Sequence, residues 1–449
     1  MSNAIAWVFA LSVAYASAVH AVAQTEGEQF GQFELVQMIE QTPDDPAAAI
    51  RVTGSVITDL DLDGRPELVI ASGTFQGTDV RVGIYSADAN GTFKWRAPWY
   101  TPDVEGASIG NIAAGDIDQD GDPDLVVSFF YSAVPPAAPE RRALWILRNE
   151  ISTGAGFVSE YVNGVPPSVN GVRVFNAEAK IVDLDQDGWP DYVAAPNNGP
   201  PRVAWGGPEG TYTLPQVLSG IDPSGFSFGF HFECADLDGD GLLDLIFGGK
   251  HLSYIHNALV RQVAPREFVA HNPFDFGVYG RATRFFLLDL DRDGDVDVAP
   301  FDRHWFPRLN VNNRDGNFDI LFTGSGSIFV PISDTSLMPE YETGLLTYSG
   351  DADLADFDLD GNVDFLLAGV PSRFNPTCAV IYNNGLEVSG SWTSTTLVDD
   401  EVTFISGAHA VDVDGDRATD IVLVEGDWIE DDVSRRIVIY RNLTPYPCP

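Results

Sequence analysis

Residues 116–130 read DIDQDGDPDLVVSFF: five acids on alternate residues around one glycine, then an apolar run. The pattern inside it, D-x-D-x-D-x-x-x-[DE], occurs seven times. It begins at Asp59 (DLDLDGRPE), Asp116 (DIDQDGDPD), Asp183 (DLDQDGWPD), Asp236 (DLDGDGLLD), Asp289 (DLDRDGDVD), Asp356 (DFDLDGNVD) and Asp412 (DVDGDRATD). Successive starts are 57, 67, 53, 53, 67 and 56 residues apart by subtraction. A single acidic D-G stretch is an ordinary turn between strands. Seven at near-regular spacing are a structural repeat.

The spacing carries a chemistry. Ca²⁺ is a hard cation that takes six to eight oxygens at about 2.3–2.6 Å. Carboxylates at positions 1, 3 and 5 of a tight loop can face one centre, and an acid at position 9 can close the shell. Those residues are Asp59, Asp61, Asp63 and Glu67; Asp116, Asp118, Asp120 and Asp124; Asp183, Asp185, Asp187 and Asp191; and Asp236, Asp238, Asp240 and Asp244. The last three loops supply Asp289, Asp291, Asp293 and Asp297; Asp356, Asp358, Asp360 and Asp364; and Asp412, Asp414, Asp416 and Asp420. Position 7 varies freely, as expected where only the backbone carbonyl is used. Position 6 is glycine in six loops, where the turn needs a positive φ. Arg417 stands there in the seventh, at a cost of about 1 kcal/mol if its φ is positive. Four acids within nine residues repel one another unless a cation joins them.

Helix-flanked calcium loops need an acid at position 12. Here position 12 is Ile70, Val127, Ala194, Phe247, Pro300, Leu367 or Leu423. The acid at position 9 is followed at once by a short run such as LVIA, LVVSFF or IVLV, whose length and β-branching indicate buried strands. Each loop therefore joins two strands. A further strand follows, often ending at Asn (ALWILRN, CAVIYNN, RIVIYRN). Next comes a Gly-x-aromatic segment, with aromatics Phe93, Phe157, Tyr212, Phe268, Phe318 and Trp392. Units of about four strands, stacked radially, make an all-β fold: a seven-bladed β-propeller with four-stranded blades. The last unit stops after RIVIYRN, and its missing piece stands at the other end as Gly31-Gln32-Phe33 and ELVQMI. The N-terminal strand is thus expected to close the ring and remove its free edges.

The DxDxDGxxD loop, the apolar strand and the Gly-x-aromatic turn resemble the FG-GAP/VCBS repeats, the family that includes the integrin alpha-subunit propeller. The resemblance covers roughly residues 31–445. It implies a calcium-binding propeller whose ligands are positions 1, 3, 5 and 9 of each loop. Arg417 departs from the pattern and weakens the case for the seventh site.

The rest of the sequence bounds function. Asp plus Glu number 66 against 25 Lys plus Arg, a formal charge of −41 that repels nucleic acid and anionic membranes. Seven bound divalent ions add 14 positive charges, which brings it to −27. Residues 1–23 carry no charged side chain and end in Ala21-Val22-Ala23, which reads as a signal peptide; an uncleaved anchor is the alternative. Residues 24–449 are then one propeller domain, secreted or periplasmic or at the cell surface, monomeric and without a membrane span. The three cysteines are too few for a disulfide framework; a Cys378–Cys448 bridge and isolated buried thiols are both open. None of the seven histidines sits in HExxH, and no GxSxG or P-loop occurs. His231 and His409, just ahead of loops four and seven, read as strand packing. The Pro-rich stretch 134–142 and residues 319–350 are candidate recognition loops. No Arg-Gly-Asp occurs, and Asn90 and Asn442 begin glycosylation sequons. Two functions remain: a recognition or adhesion module for glycans or surface proteins, or a calcium-dependent polysaccharide-degrading lyase or hydrolase.

Overall fold

The computed structural model describes residues 29–30, 32–41, 52–73, 80–104, 107–131, 142–151, 156–163, 176–196, 201–218, 229–251, 254–255, 258–270, 282–289, 296–302, 310–312, 318–320, 348–370, 377–383, 392–398, 405–425 and 435–445. The segment 1–23, Cys448 and most of 134–142 and 319–350 lie outside them. Among the described residues no helix is long and apolar enough to cross a membrane.

The apolar runs behind the acidic loops are strands covered on both faces. Glu67–Ser72 and Asp420–Glu425 are buried at every position, which is why they read as unbroken apolar runs rather than alternating ones. Each lies second in an antiparallel sheet whose strands follow sequence order, so the acidic loop is the hairpin connection between first and second strands. The first sheet is Val52–Thr58, Glu67–Ser72, Arg81–Ala87 and Phe93–Tyr100. The second is Ala107–Gly115, Asp124–Tyr131, Arg142–Glu150 and Gly156–Asn163. The third is Asn176–Val182, Asp191–Pro196, Arg202–Ala204 and Gln216–Val217. The fourth is Gly229–Ala235, Asp244–His251, Ala258–Ala264 and Glu267–Ala270, with the short Tyr254–Ile255 also on its second strand. The fifth is Ala282–Leu288, Asp297–Asp302, Asn310–Asn312 and Phe318–Ile320. The sixth is Tyr348–Ala355, Asp364–Val370, Thr377–Asn383 and Trp392–Val398.

The seventh sheet joins the two ends of the chain. Ile405–Val411, Asp420–Glu425 and Arg435–Asn442 are followed by Phe33–Gln41, with Phe33 opposite Asn442 and Gln41 opposite Arg435. The third sheet departs from the expected plan. Tyr212 does not open its fourth strand but sits in a separate hairpin of Gly206–Gly207 with Thr211–Tyr212. The fourth strand, Gln216–Val217, follows later.

The core lies between sheets, not inside any one of them. Val69 and Ile84 of the first pack with Leu125 and Trp145 of the second. Val193 and Val203 of the third pack with Phe232 and Leu245 of the fourth. Leu68 and Tyr85 of the first also pack with Val422 and Ile437 of the seventh. The first strand of each sheet neighbours the first strand of the next, and Val52–Thr58 neighbours Ile405–Val411. The result is an all-β, β-propeller-like fold.

Candidate metal centres

Six of the seven acidic loops are described. Of the fifth, Asp291 and Asp293 lie outside the described residues, and so does the side chain of Asp297. The six share one backbone path with two left-handed residues. At position 6, Gly64, Gly121, Gly188, Gly241 and Gly361 have φ between 88° and 102°, and Arg417 has 77°. Arg417 thus meets the condition for strain, about 1 kcal/mol. Position 4 is left-handed as well, at Leu62, Gln119, Gln186, Gly239, Leu359 and Gly415, a need the sequence reading did not anticipate.

The carboxylates hold this path. The position 1 acid accepts the position 6 N–H: Gly64 on Asp59 at 2.9 Å, Gly121 on Asp116 at 3.1 Å, Arg417 on Asp412 at 2.9 Å. The position 5 acid accepts the position 7 N–H, as Leu242 on Asp240 and Ala418 on Asp416, both at 2.8 Å. Position 9 is the buried anchor, with Glu67, Asp124, Asp191, Asp244, Asp364 and Asp420 each at most 2% exposed. One oxygen accepts the position 2 N–H, from Leu60, Ile117, Leu184, Leu237, Phe357 or Val413, at 2.8–3.3 Å. In four loops the other oxygen accepts an N–H from the third strand or just beyond it: Asn149, Gly206, Gln262 or Asn442. Position 2 is always apolar, and in the six described loops its side chain is buried while its N–H ties the acid. Burial pushes Glu67, Asp124, Asp244 and Asp420 up to about 7 and Asp191 up to about 6, against the pull of those N–H donors.

In four loops three of the four expected ligands come together, without Asp63, Asp120, Asp187 or Asp244. Carboxylate oxygens of Asp59, Asp61 and Glu67 lie within 4.8 Å of one another, as do those of Asp116, Asp118 and Asp124, and of Asp183, Asp185 and Asp191. In the fourth loop the group is Asp236, Asp238 and Asp240. Oxygens on opposite sides of a calcium ion stand about 5 Å apart, so the groups fit that shell. Moreover, Asp61 Oδ1, Asp118 Oδ1, Asp183 Oδ1 and Asp238 Oδ1 are buried without any hydrogen-bond partner. A buried carboxylate oxygen left bare is costly, and a hard cation supplies what it lacks. The donor set is all oxygen, which suits Ca²⁺ and not a soft metal. Calcium bound here would neutralise charge and brace the hairpin.

Sequence reasoning missed the arginines. Asp61 pairs with Arg96 at 3.0 Å, Asp118 with Arg148 at 2.9 Å, Asp238 with Arg261 at 3.1 Å and Asp414 with Arg441 at 2.9 Å. Asp185 pairs with Arg266, which also reaches Asp187 at 3.0 Å. The only written signal is the Arg-Asn pair closing ALWILRN and RIVIYRN. The asparagine in that pair has its own task. Asn149 Nδ2 donates to Leu60 O at 2.6 Å and Asn442 Nδ2 to Phe357 O at 2.7 Å, tying each sheet to the loop of the sheet before it. Asn442 is fully buried and its amide is engaged, so it is no acceptor for a glycan in the folded chain.

A second cluster joins the first strands of sheets three and four. His231 contacts Glu178 through Nδ1 and Glu233 through Nε2, the latter at 3.1 Å, and Lys180 reaches Glu233. His409 Nε2 lies 2.8 Å from Ser55 Oγ, between the first strands of sheets seven and one. Both histidines are therefore strand-packing residues.

Known proteins carry the same repeat. A family profile described as FG-GAP-like repeat matches residues 59–127 and 183–247. Integrin alpha-7 of Homo sapiens is 30% identical over 168 residues, which is 36% of this chain and 13% of that protein's length. Among solved structures, a crystal structure of BBS1N in complex with ARL6DN, soaked with mercury, superposes with a TM-score of 0.50 at 11% identity. That alignment covers 92% of this chain and 98% of the other, and at this identity it speaks for the fold alone. The loop, the strand order and the profile together support an FG-GAP repeat family, with FG-GAP-like repeats matched at residues 59–127 and 183–247.

Proposed function

We propose that this chain is a calcium-binding recognition module that acts outside the cytoplasm. Its seven sheets are read as the blades of a closed propeller spanning 24–449 behind a signal peptide. The observation that carries the calcium reading is the set of buried, partnerless carboxylate oxygens on Asp61, Asp118, Asp183 and Asp238, each beside further acids of its own loop. The integrin likeness supports adhesion or recognition; we take surface proteins or glycans as the partners. A net charge of −41 favours neutral or cationic partners, or glycans bridged by calcium.

The test sets affinity against turnover. The full chain is screened on polysaccharide and surface-protein panels in millimolar calcium and in chelator, with an assay for new reducing or unsaturated ends. Binding without turnover, weakened in chelator, is the expected outcome. Repeated turnover that vanishes on replacing one carboxylate outside the acidic loops would make the chain an enzyme.

A further inference from the structure

We propose that an arginine on the position 3 carboxylate presets five of the six described calcium loops, and that the sixth loop, which has a tyrosine in the arginine's place, is one that calcium itself must order. The inference rests on the calcium reading and adds a rank order among loops.

The arginines reach one endpoint by three routes. In sheets two, four and seven the arginine follows the residue opposite the first strand residue after position 9. Leu125 faces Leu147, Leu245 faces Val260 and Ile421 faces Tyr440, so Arg148, Arg261 and Arg441 are equivalent. In the first sheet that register holds Ser86, and Arg96 of the fourth strand does the task instead. In the third it holds Trp205, and Arg266 arrives from the hairpin turn of sheet four, its guanidinium 4.8 Å over the Trp205 ring. Chance does not steer unrelated positions to the same carboxylate in five loops.

The sixth loop breaks the rule. Phe365 faces Ile381, so Tyr382 holds the register, buried, with its hydroxyl 3.3 Å from Thr395 Oγ1. No guanidinium among the described residues pairs with Asp358, whose Oδ1 accepts the Asp360 N–H at 3.3 Å.

The physics is charge counting. Without metal, four acids in one loop repel, and one guanidinium removes a quarter of that charge, while in the first, second and fourth loops the other oxygen of the position 3 carboxylate stays bare. An arginine loop therefore keeps its shape when empty, at the cost of a weaker pull on Ca²⁺. The sixth loop pulls harder and is less ordered when empty.

Hydrogen exchange of the full chain reads this loop by loop. Calcium over chelator should slow exchange in residues 356–364 by about tenfold more than in residues 116–124. Tyr382→Arg should shrink the response of the sixth loop, and Arg148→Met should raise that of the second toward it. A merely structural arginine would lower protection equally with and without calcium. Equal calcium responses in loops two and six of the unaltered protein overturn the inference. So does an unchanged loop-two response in Arg148→Met, whether or not Tyr382→Arg folds. If no loop responds to calcium, the calcium reading itself falls, and this inference with it.

Discussion

The acidic loops and the first strands of sheets three and four use carboxylates to opposite ends. On the strands, every acid meets a group of the chain itself. Glu233 has Lys180 and His231, and Glu178 has His231 and the Phe232 N–H at 2.9 Å. Asp351 and Asp353, on the first strand of sheet six, take the Ala408 and Ala410 N–H groups, both at 2.8 Å. In five of the described loops four acids share one or two guanidinium groups, and in four of these a buried carboxylate oxygen remains bare. Acid count alone is therefore no sign of a metal, and the oxygens around Glu178, His231 and Glu233 lie as close together as those of the loops. The deciding difference is whether the chain supplies the countercharge.

The sharpest way to break this contrast is to remove calcium. Each site saturated a hundredfold above its Kd adds about 2.7 kcal/mol. Several such sites rival a whole stability of about 5–15 kcal/mol. The melting temperature should fall by more than about 10 °C in chelator and return with calcium. An unchanged value, with metal content verified as zero, would remove the loops' claim to a cation.

Single substitutions should sort by region. Asp124→Ala strips partners from the buried Ile117 and Asn149 N–H groups, each worth about 1–3 kcal/mol, so it should cost about 3 kcal/mol even in chelator. Asp120→Ala loses the half-buried loop bond to the Asp122 N–H. It should cost less than about 1 kcal/mol in chelator and much more in calcium. Lys180→Met should cost about 2 kcal/mol, the same in both conditions, because its partners are protein groups. Urea unfolding of the three variants in calcium and in chelator checks the pattern, and a calcium-dependent Lys180→Met would undo the contrast.

The smallest expected effect is on pH. Burial holds Glu67, Asp124, Asp244 and Asp420 at about 7 without metal, above the ordinary value near 4. The native state then keeps protons that the unfolded chain releases, so this contribution is full below about pH 4 and lost as pH rises to about 7. Calcium takes the ionised carboxylates, so it should reverse the slope and release protons on binding near pH 6.5. Melting curves between pH 5 and 7.5, with and without calcium, give both slopes.

Much of the molecule was legible because its decisive interactions are local. Within nine residues the loop sets its own turn, its acids cap its own N–H groups and the next run is a covered strand, so the repeat located the hairpins, their clustered acids and the pairing of Phe33–Gln41 with Arg435–Asn442. What the sequence left open comes from residues far along the chain. Arg261 reaches Asp238 across 23 positions and Arg266 reaches Asp185 across 81. Lys180 meets Glu233 across 53, and Asn442 meets the Phe357 carbonyl across 85. Side chains that meet only once distant strands pair or sheets stack have no fixed spacing to betray them. The sequence by itself thus determined where the carboxylates converge, because turns and caps act over a few residues. Tertiary structure alone decided which of them the protein neutralises with its own cations and which it leaves bare.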